Sequence, residues 1–128
     1  MNYKFDIMTQ EQAENIAYNW HYDGEYSFYD MEADKEDLDE FLDPKTRGDS
    51  MFAVTKGNEL IGFFSVNKVA NVTFDIGLGM RPDLTGSGYG LEFLNAGVDF
   101  VQSKYTPAKI TLVLGHKNNS EKLYQVQL

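Results

Sequence analysis

The residues best suited to chemistry are glycines that recur at 86, 88 and 90, between an extended run and an apolar-periodic one. Glycine tolerates positive φ and carries no Cβ, so an anion can approach the main chain closely at such a turn. The first N–H groups of a helix have no intrahelical partner, and the helix dipole adds positive potential there. The spacing therefore predicts a phosphate-binding turn. Its expected main-chain contacts are Thr85, Gly86, Ser87, Gly88, Tyr89 and Gly90.

Two common phosphate-binding motifs do not fit this turn. A P-loop ends in Gly-Lys-Ser or Gly-Lys-Thr, and neither closes the turn here. The dinucleotide-binding spacing G-x-G-x-x-G also fails, because the glycines recur as G-x-G-x-G and lie late in the chain. A glycine-rich connection that binds nothing is the alternative interpretation.

The segment resembles the acyl-CoA-binding motif of the GNAT N-acetyltransferases, in which a strand meets a proline and then Arg/Gln-x-x-Gly-x-Gly/Ala before a helix. Pro82, Gly88 and Gly90 match, and Gly86 lies where glycine is common. Thr85 departs from the motif, which usually has Arg or Gln there. The resemblance implies acetyl-CoA as the cosubstrate, with its pantetheine arm and developing oxyanion held by main-chain groups of the preceding strand. Those groups would belong to Leu78, Gly79 and Met80.

The same resemblance implies a tyrosine that protonates the leaving thiolate. In many members this tyrosine lies on the last helix, and Tyr124 follows Ser120 at the matching spacing. Lys117 occupies the position of the family's Asn, and Asn118, one residue later, is the expected substitute contact to the cofactor. Alternatively, Tyr124 packs on the sheet without a catalytic role.

For the general base we expect Asp75, the carboxylate on the strand before the glycine turn, since bases in the family often lie on that strand. It shares a strand face with Gly77 and Gly79. Alternatively, Asp75 is simply exposed at the edge of the strand, and a chain of waters, Glu25 or Tyr26 takes the proton.

Hydrophobic periodicity predicts the order β-α-α-β-β-β-α-β-α. The predicted strands cover 3–7, 50–55, 60–66, 72–80 and 110–114, and turns lie at 56–59 and 68–71. The predicted helices run from Thr9 to before Asp23 and over 34–42, 88–102 and 118–125. The stretch from Thr9 to Gln12 predicts a capping box at the start of the first helix, and the helix over 88–102 is expected to bury Leu91, Leu94, Val98 and Val101. This order agrees with the GNAT topology. We therefore expect a single α/β domain over 1–128, with a mixed, mostly antiparallel central sheet flanked by helices.

The end of the chain departs from the family pattern. After the tyrosine the family continues into two strands, whereas four residues, 125–128, follow Tyr124 here. This predicts a C-terminally shortened sheet whose edge at 110–114 is uncovered, and we expect a homodimer that either pairs through this strand or exchanges the C-terminal tail. The shortening also supports a second interpretation, a non-catalytic acyl-CoA-binding module with an incomplete acceptor site.

The distribution of charge along the chain indicates what kind of amine would accept the acetyl group. The chain carries 11 Lys/Arg against 20 Asp/Glu, a net charge of -9. Ten of the acids lie at 23, 25, 30, 32, 34, 36, 37, 39, 40 and 43, where Lys35 is the one opposing base. Such a surface repels nucleic acid and anionic membranes and attracts cations, and interleaved aromatic residues can add cation–π contacts. We therefore expect a cationic small-molecule or peptide amine as acceptor; alternatively, the acids only solvate the protein.

Composition excludes several other chemistries. The chain has no cysteine, so it forms no disulfide, thiolate nucleophile or covalent cysteine intermediate. His21 and His116 are far apart in sequence, and we expect no metal site. No apolar run approaches membrane-spanning length, and the N-terminus lacks a signal-like segment, so we expect a cytoplasmic protein.

Overall fold

A six-stranded sheet organises the computed structural model, which describes residues 3–21, 34–84, 88–114 and 122–127, with main chain alone at 113–114 and 122–127. The strands lie in chain order as β1 (Tyr3–Ile7), β2 (Met51–Lys56), β3 (Glu59–Ala70), β4 (Thr73–Met80), β5 (Lys109–Leu114) and β6 (Lys122–Gln127). The helices are α1 (Gln10–Asn19), α2 (Lys35–Leu42), α3 (Pro44–Arg47) and α4 (Gly90–Tyr105). Neighbouring strands are antiparallel except β4 and β5, which are parallel. The predicted fold class is confirmed.

Helix α4 covers one face of the sheet with a stripe at helical spacing. Phe93, Gly97 and Val101 are buried along it, and a Cβ at Gly97 would collide with the ring of Phe64 on β3. Glycine at 97 therefore lets the helix approach the sheet closely. The prediction that Leu91 is buried is wrong: its side chain is 70% exposed, because the helix begins only at residue 90 and its buried stripe starts at Phe93.

Helix α1 covers the opposite face. It begins with the predicted capping box, in which the Thr9 side chain accepts from the Gln12 N–H at 3.1 Å and the Gln12 side chain accepts from the Thr9 N–H at 3.0 Å. Its buried residues Ala13, Ile16 and Ala17 belong to a second apolar cluster shared with α2 and the sheet. Both faces of the sheet are thus packed by helices.

A buried arginine joins the three short helices. Arg47 is 6% exposed and donates to the Phe41 carbonyl at 2.6 Å and to the Gln10 side-chain oxygen at 2.7 Å. The amide nitrogen of Gln10 in turn donates to the Leu42 carbonyl at 3.0 Å. Asp43 caps α3 through the Lys45 N–H at 3.0 Å. Charge-assisted bonds of this kind hold α2 against α1, where the acid-rich segment returns to the sheet.

The first hairpin follows the prediction, and the second is shifted. Gly57 and Asn58 both have positive φ, 58° and 71°, as a two-residue hairpin with the twist of the sheet requires. Strand β3 extends to Ala70 rather than ending at 66, so the next turn contains Asn71 and Val72. Helix α3 was not expected; it begins at Pro44, whose fixed φ suits a first helical position.

The predicted helix over 118–125 is wrong, because residues 122–127 form strand β6, which pairs antiparallel with β5 from Lys109↔Gln127 to Leu114↔Lys122. An eight-residue helix has little intrinsic stability, whereas a strand on β5 satisfies main-chain groups that would otherwise lie unpaired at an edge. The edge at 110–114 is therefore covered within the chain. The expected uncovered edge and the homodimer through 110–114 are corrected accordingly.

Candidate active site

Strands β4 and β5 separate halfway along β4. Their parallel pairing ends at Ile76 and Leu112, although β4 continues to Met80 beside β3 and β5 continues to Leu114 beside β6. Within the described strands, the β4–β5 ladder therefore opens into a gap at 77–80. The gap leads toward the glycine turn, since Pro82–Leu84 form a single 3₁₀ turn directly after the strand.

The hydrogen-bonding pattern tells which main-chain groups face the gap. The Arg81 N–H donates to the Ile61 carbonyl at 2.8 Å, which makes these two residues a hydrogen-bonded pair of the antiparallel β3–β4 ladder. Such pairs alternate with pairs whose N–H and C=O groups point outward. Gly79 therefore bonds to β3, whereas Leu78, and Met80 two residues on, direct their peptide groups toward the β5 side.

An aromatic ring covers β4 on the α1–α2 face. A Cβ at Gly79 would collide with the ring of Phe63, and a Cβ at Gly77 would meet the Ser65 hydroxyl. Phe63 is held by Trp20 and Phe41, with ring centroids 6.2 and 5.5 Å away. The glycines on β4 thus accommodate side chains of β3. Because this face is closed at Gly79, a ligand would reach β4 edgewise, through main-chain groups.

The described part of the glycine turn is open. Gly88 has a φ of 85°, and a Cβ added at Gly88 or Gly90 would meet no atom within 4 Å. Helix α4 begins at Gly90, and the preceding Tyr89 makes no side-chain capping bond. The first-turn N–H groups thus have no side-chain cap from this residue. Of the other predicted contacts, Thr85, Gly86 and Ser87 lie outside the described residues.

A carboxylate in the first turn of α4 is engaged by β1. The Tyr3 hydroxyl donates to Glu92 at 2.8 Å. Burial, followed by the hydrogen bond and negative charge of Glu92, raises the pKa of Tyr3 to about 12. A cleft of about 510 Å³ runs along α4 beside this pair and is also lined by Gly88 and Leu91. The phenol thus stays protonated and keeps Glu92 as its acceptor.

The two predicted catalytic residues flank the closed end of the gap. Asp75 pairs with Asn67 and Thr111 where β4 is still joined to β5, three residues before Leu78, or about 10 Å along the strand. Tyr124 lies on β6 rather than on a helix, opposite Leu112 and two strand spacings, about 10 Å, from β4. Asn118, Glu25 and Tyr26 lie outside the described residues.

Thr111 was missed from the sequence. It is 5% exposed, and its hydroxyl has no hydrogen-bond partner among the described residues. It lies directly beside Asp75 in the β4–β5 register. The available signal was its polarity between the apolar neighbours Ile110 and Leu112. A buried hydroxyl next to the proposed base is a further polar group at the closed end of the gap.

A second cleft, which we call the α1 cleft, borders the end of β4. It measures about 530 Å³, and its lining includes Asn15, Asn19, Trp20, Glu59, Arg81 and Asp83. Arg81 holds Asp83 at 2.6 Å, and this hydrogen bond lowers the pKa of the Asp83 carboxyl. Glu59 and Asp83 against Arg81 leave the cleft with one excess negative charge.

The acid-rich segment is described only from residue 34 onward, where it forms α2 and its caps. Asp34 accepts from the Asp37 N–H at 3.1 Å and so caps α2, while Lys35 pairs with Asp39 at 3.0 Å on the exposed side. Asp34 and Asp39 thus stabilise helix α2 itself. No group of three potential metal ligands occurs among the described residues. No helix in that part of the chain is long and apolar enough to cross a membrane.

Comparison with known proteins identifies the family. Residues 5–122 match the acetyltransferase (GNAT) domain, so the chain belongs to the GNAT acetyltransferase family. No curated protein matches it.

Solved structures share the fold. A GNAT-family acetyltransferase from Bacillus anthracis superposes with a TM-score of 0.67 at 20% identity, covering 94% of this chain and 75% of that one. A dodecameric spermidine N-acetyltransferase from Vibrio cholerae gives 0.59 at 15% identity, covering 88% and 69%. The PaiA N-acetyltransferase from Thermoplasma acidophilum, in complex with coenzyme A, gives 0.57 at 16% identity and covers 100% of both chains. At these identities the likeness establishes the fold alone.

We predict that Tyr3→Phe lowers the free energy of unfolding at neutral pH, and that this difference from wild type becomes smaller at alkaline pH. The folded state binds the phenol proton more tightly than the unfolded state, because the pKa rises from 10.0 to about 12 on folding. The stabilisation by the Tyr3 hydroxyl is therefore complete at pH values below the pKa of Tyr3 in the unfolded state. It is lost as the pH rises through the pKa of Tyr3 in the folded state. Urea unfolding from about pH 8 to about pH 11 should show the wild-type advantage over the variant shrinking above about pH 10.

The control is Tyr18→Phe, which changes an exposed tyrosine on α1. A free-energy gap between wild type and Tyr3→Phe that stays constant across this pH range would contradict the role of the Tyr3–Glu92 bond.

Proposed function

We propose that residues 1–128 form one acyltransferase domain that transfers acetyl from acetyl-CoA directly to a primary amine. The main support for this proposal is the β4–β5 gap, which leads from the Leu78 peptide group to the open turn at Gly88 and Gly90. Membership of the GNAT family supports the reaction class. The coenzyme A complex of the Thermoplasma neighbour supports the cosubstrate class.

The residues fit an acyl-CoA in two places. The outward C=O of Leu78 can accept from an amide group of a pantetheine arm that lies in the gap as a substitute for the missing β5 pairing, which leaves the Leu78 N–H for the thioester oxygen. The space at Gly88 and Gly90, with the uncapped start of α4, suits the phosphates. Gly79 bonds to β3, so we assign it the role of accommodating Phe63 rather than holding the arm. The remaining proposed cofactor contacts are Met80, Thr85, Gly86, Ser87, Tyr89 and Asn118.

The chemistry requires charge stabilisation and two proton movements. Acetyl-CoA supplies a thioester whose carbon–sulfur bond breaks as a bond forms to the amine nitrogen. The Leu78 N–H stabilises the negative charge that develops on the carbonyl oxygen. Asp75 takes the ammonium proton through an intervening water, since about 10 Å separate it from Leu78. Tyr124 gives a proton to the departing sulfur, and the second proton that the nitrogen releases as the amide forms restores the phenol. The transfer is direct because the chain contains no cysteine to carry the acyl group.

For the acceptor we propose a cationic amine. The stretch from 23 to 43 contains ten acids opposed by Lys35 alone, so it carries a strong negative charge. The α1 cleft adds Glu59 and Asp83 against Arg81. A field of this sign concentrates cations and speeds their capture. The spermidine N-acetyltransferase from Vibrio cholerae supports a polyamine as the first acceptor to test.

We also propose self-association through the C-terminal edge of the sheet, but through a different strand from the one expected from the sequence. Strand β6 pairs with the edge of β5 and is the outermost of the described strands on that side of the sheet. An edge strand presents main-chain groups that can pair with a second copy. We therefore move the homodimer contact from 110–114 to 122–127.

We predict that Gly88→Asp weakens CoA binding by roughly tenfold or more, because it adds a carboxylate where a phosphate would lie. Isothermal titration calorimetry with CoA measures this. The matched control is Gly57→Asp in the first hairpin: Gly57 also has positive φ, 58° against 85°, and open space at Cβ. The two variants thus share charge and backbone strain but differ in location. Equal affinity of both variants for CoA would remove the turn from the site.

We predict that a polyamine is acetylated faster than a neutral aryl amine and that its advantage falls with salt. The physical reason is screening, which shortens the reach of the acidic field to about 10 Å at 0.1 M ionic strength. Steady-state kcat/KM for spermidine and for aniline, from low to high sodium chloride, measures both effects. Preference for aniline, or a spermidine rate that ignores salt, would contradict the cationic acceptor. CoA binding without turnover of any amine would favour the non-catalytic module.

A further inference from the structure

A lysine on β2 lies against two tyrosine rings at the start of α4. The Lys56 Nζ is 5.5 Å from the ring centroid of Tyr3 and 5.6 Å from that of Tyr89. Both distances are within the range of a cation–π contact. Tyr89 directly precedes the first residue of α4, and Tyr3 lines the same cleft as Gly88. The ammonium group is therefore held beside the open glycine turn.

The position of Lys56 is fixed from two sides. Its β2 main chain pairs with Tyr3 on β1, and the Tyr3 ring is in turn anchored by the hydroxyl bond to Glu92. Stacking over two rings restricts a side chain that otherwise samples many rotamers. Less conformational entropy is then lost when the ammonium meets a ligand.

Lys56 has no carboxylate partner among the described residues, which sets it apart from the arginine nearest in sequence to the turn. The Arg81 guanidinium donates to both oxygens of Asp83, at 2.6 and 3.2 Å, so its charge is already matched. Glu92, in the first turn of α4, is negative and would oppose a phosphate there. An anion at the turn thus needs a positive charge, and Lys56 is placed to provide it.

We propose that Lys56 is a ligand-binding residue that contacts a phosphate of the CoA nucleotide. The inference rests on the proposed function, because it requires CoA at the Gly88–Gly90 turn. The phosphate comes either from the pyrophosphate or from the 3′ position of the ribose, and the ammonium group suits both. The tyrosine rings hold the charge toward the turn, and the ion pair offsets the repulsion from Glu92.

The experiment compares Lys56→Met, Lys56→Arg and Lys68→Met by calorimetric titration with CoA and with dephospho-CoA. Lys68→Met is the matched control, because Lys68 lies near the opposite end of β3 and its substitution changes net charge equally. Urea midpoints verify that all three variants are folded. Lys56→Met should bind CoA about three- to tenfold more weakly, and Lys56→Arg and Lys68→Met should stay within about twofold of wild type. The loss of CoA affinity with added salt should also be less steep for Lys56→Met.

The two ligands identify the phosphate. A loss confined to CoA assigns Lys56 to the 3′-phosphate, and an equal loss for both ligands assigns it to the pyrophosphate; either result supports the proposal. Wild-type affinity for CoA in Lys56→Met, an equal loss in Lys68→Met, or an unchanged salt dependence would overturn it. Failure of the wild-type protein to bind CoA would instead overturn the proposed function, and the role of Lys56 with it.

Discussion

The hydrogen-bonding capacity of β4 is the constraint on which the rest of the site depends. One edge of this strand is paired with β3 over its length, whereas the other is paired with β5 only from Thr73 to Ile76. Main-chain polar groups need partners, so a strand that parts from its neighbour creates a site for a molecule with amide groups. Leu78 and Met80 turn their peptide groups into that gap. The glycine turn then continues the same path toward the start of α4, with donors suited to phosphate.

The packing around β4 directs a ligand to this edge. Phe63 lies over Gly79 and is itself held in the apolar cluster that Trp20 and Phe41 form. Arg47 keeps the Phe41 end of α2 in place by bonding to its carbonyl. The α1–α2 face of β4 is therefore occupied at this level, and α4 covers the other face. Side chains close the two faces, and the main chain remains as the recognition surface.

Local sequence signals predicted the parts of the fold that local interactions determine. The Thr9 capping box, the Gly57–Asn58 hairpin and the helix after the glycine turn appear where residue types and spacing indicated. Strand β6 was mistaken for a helix, because its stability comes from pairing with β5, a contact that no short-range pattern encodes. The contact of Lys56 with the rings of Tyr3 and Tyr89 was not predicted for the same reason, since these residues meet only through the folded sheet. The roles of Asp75 and Tyr124 stay predictions. Because about 10 Å separate Asp75 from Leu78, we expect Asp75 to take the ammonium proton through water.

Residue-resolved amide exchange with and without CoA determines whether the cofactor lies in the β4–β5 gap. In the ligand-free protein the Gly79 amide is already bonded to β3, whereas the Leu78 amide faces the gap. We predict that saturating CoA slows exchange at Leu78 and in the first turn of α4, and leaves Gly79 nearly unchanged. Binding of CoA with no change at Leu78, or with protection confined to residues away from 77–80 and 88–92, would contradict it.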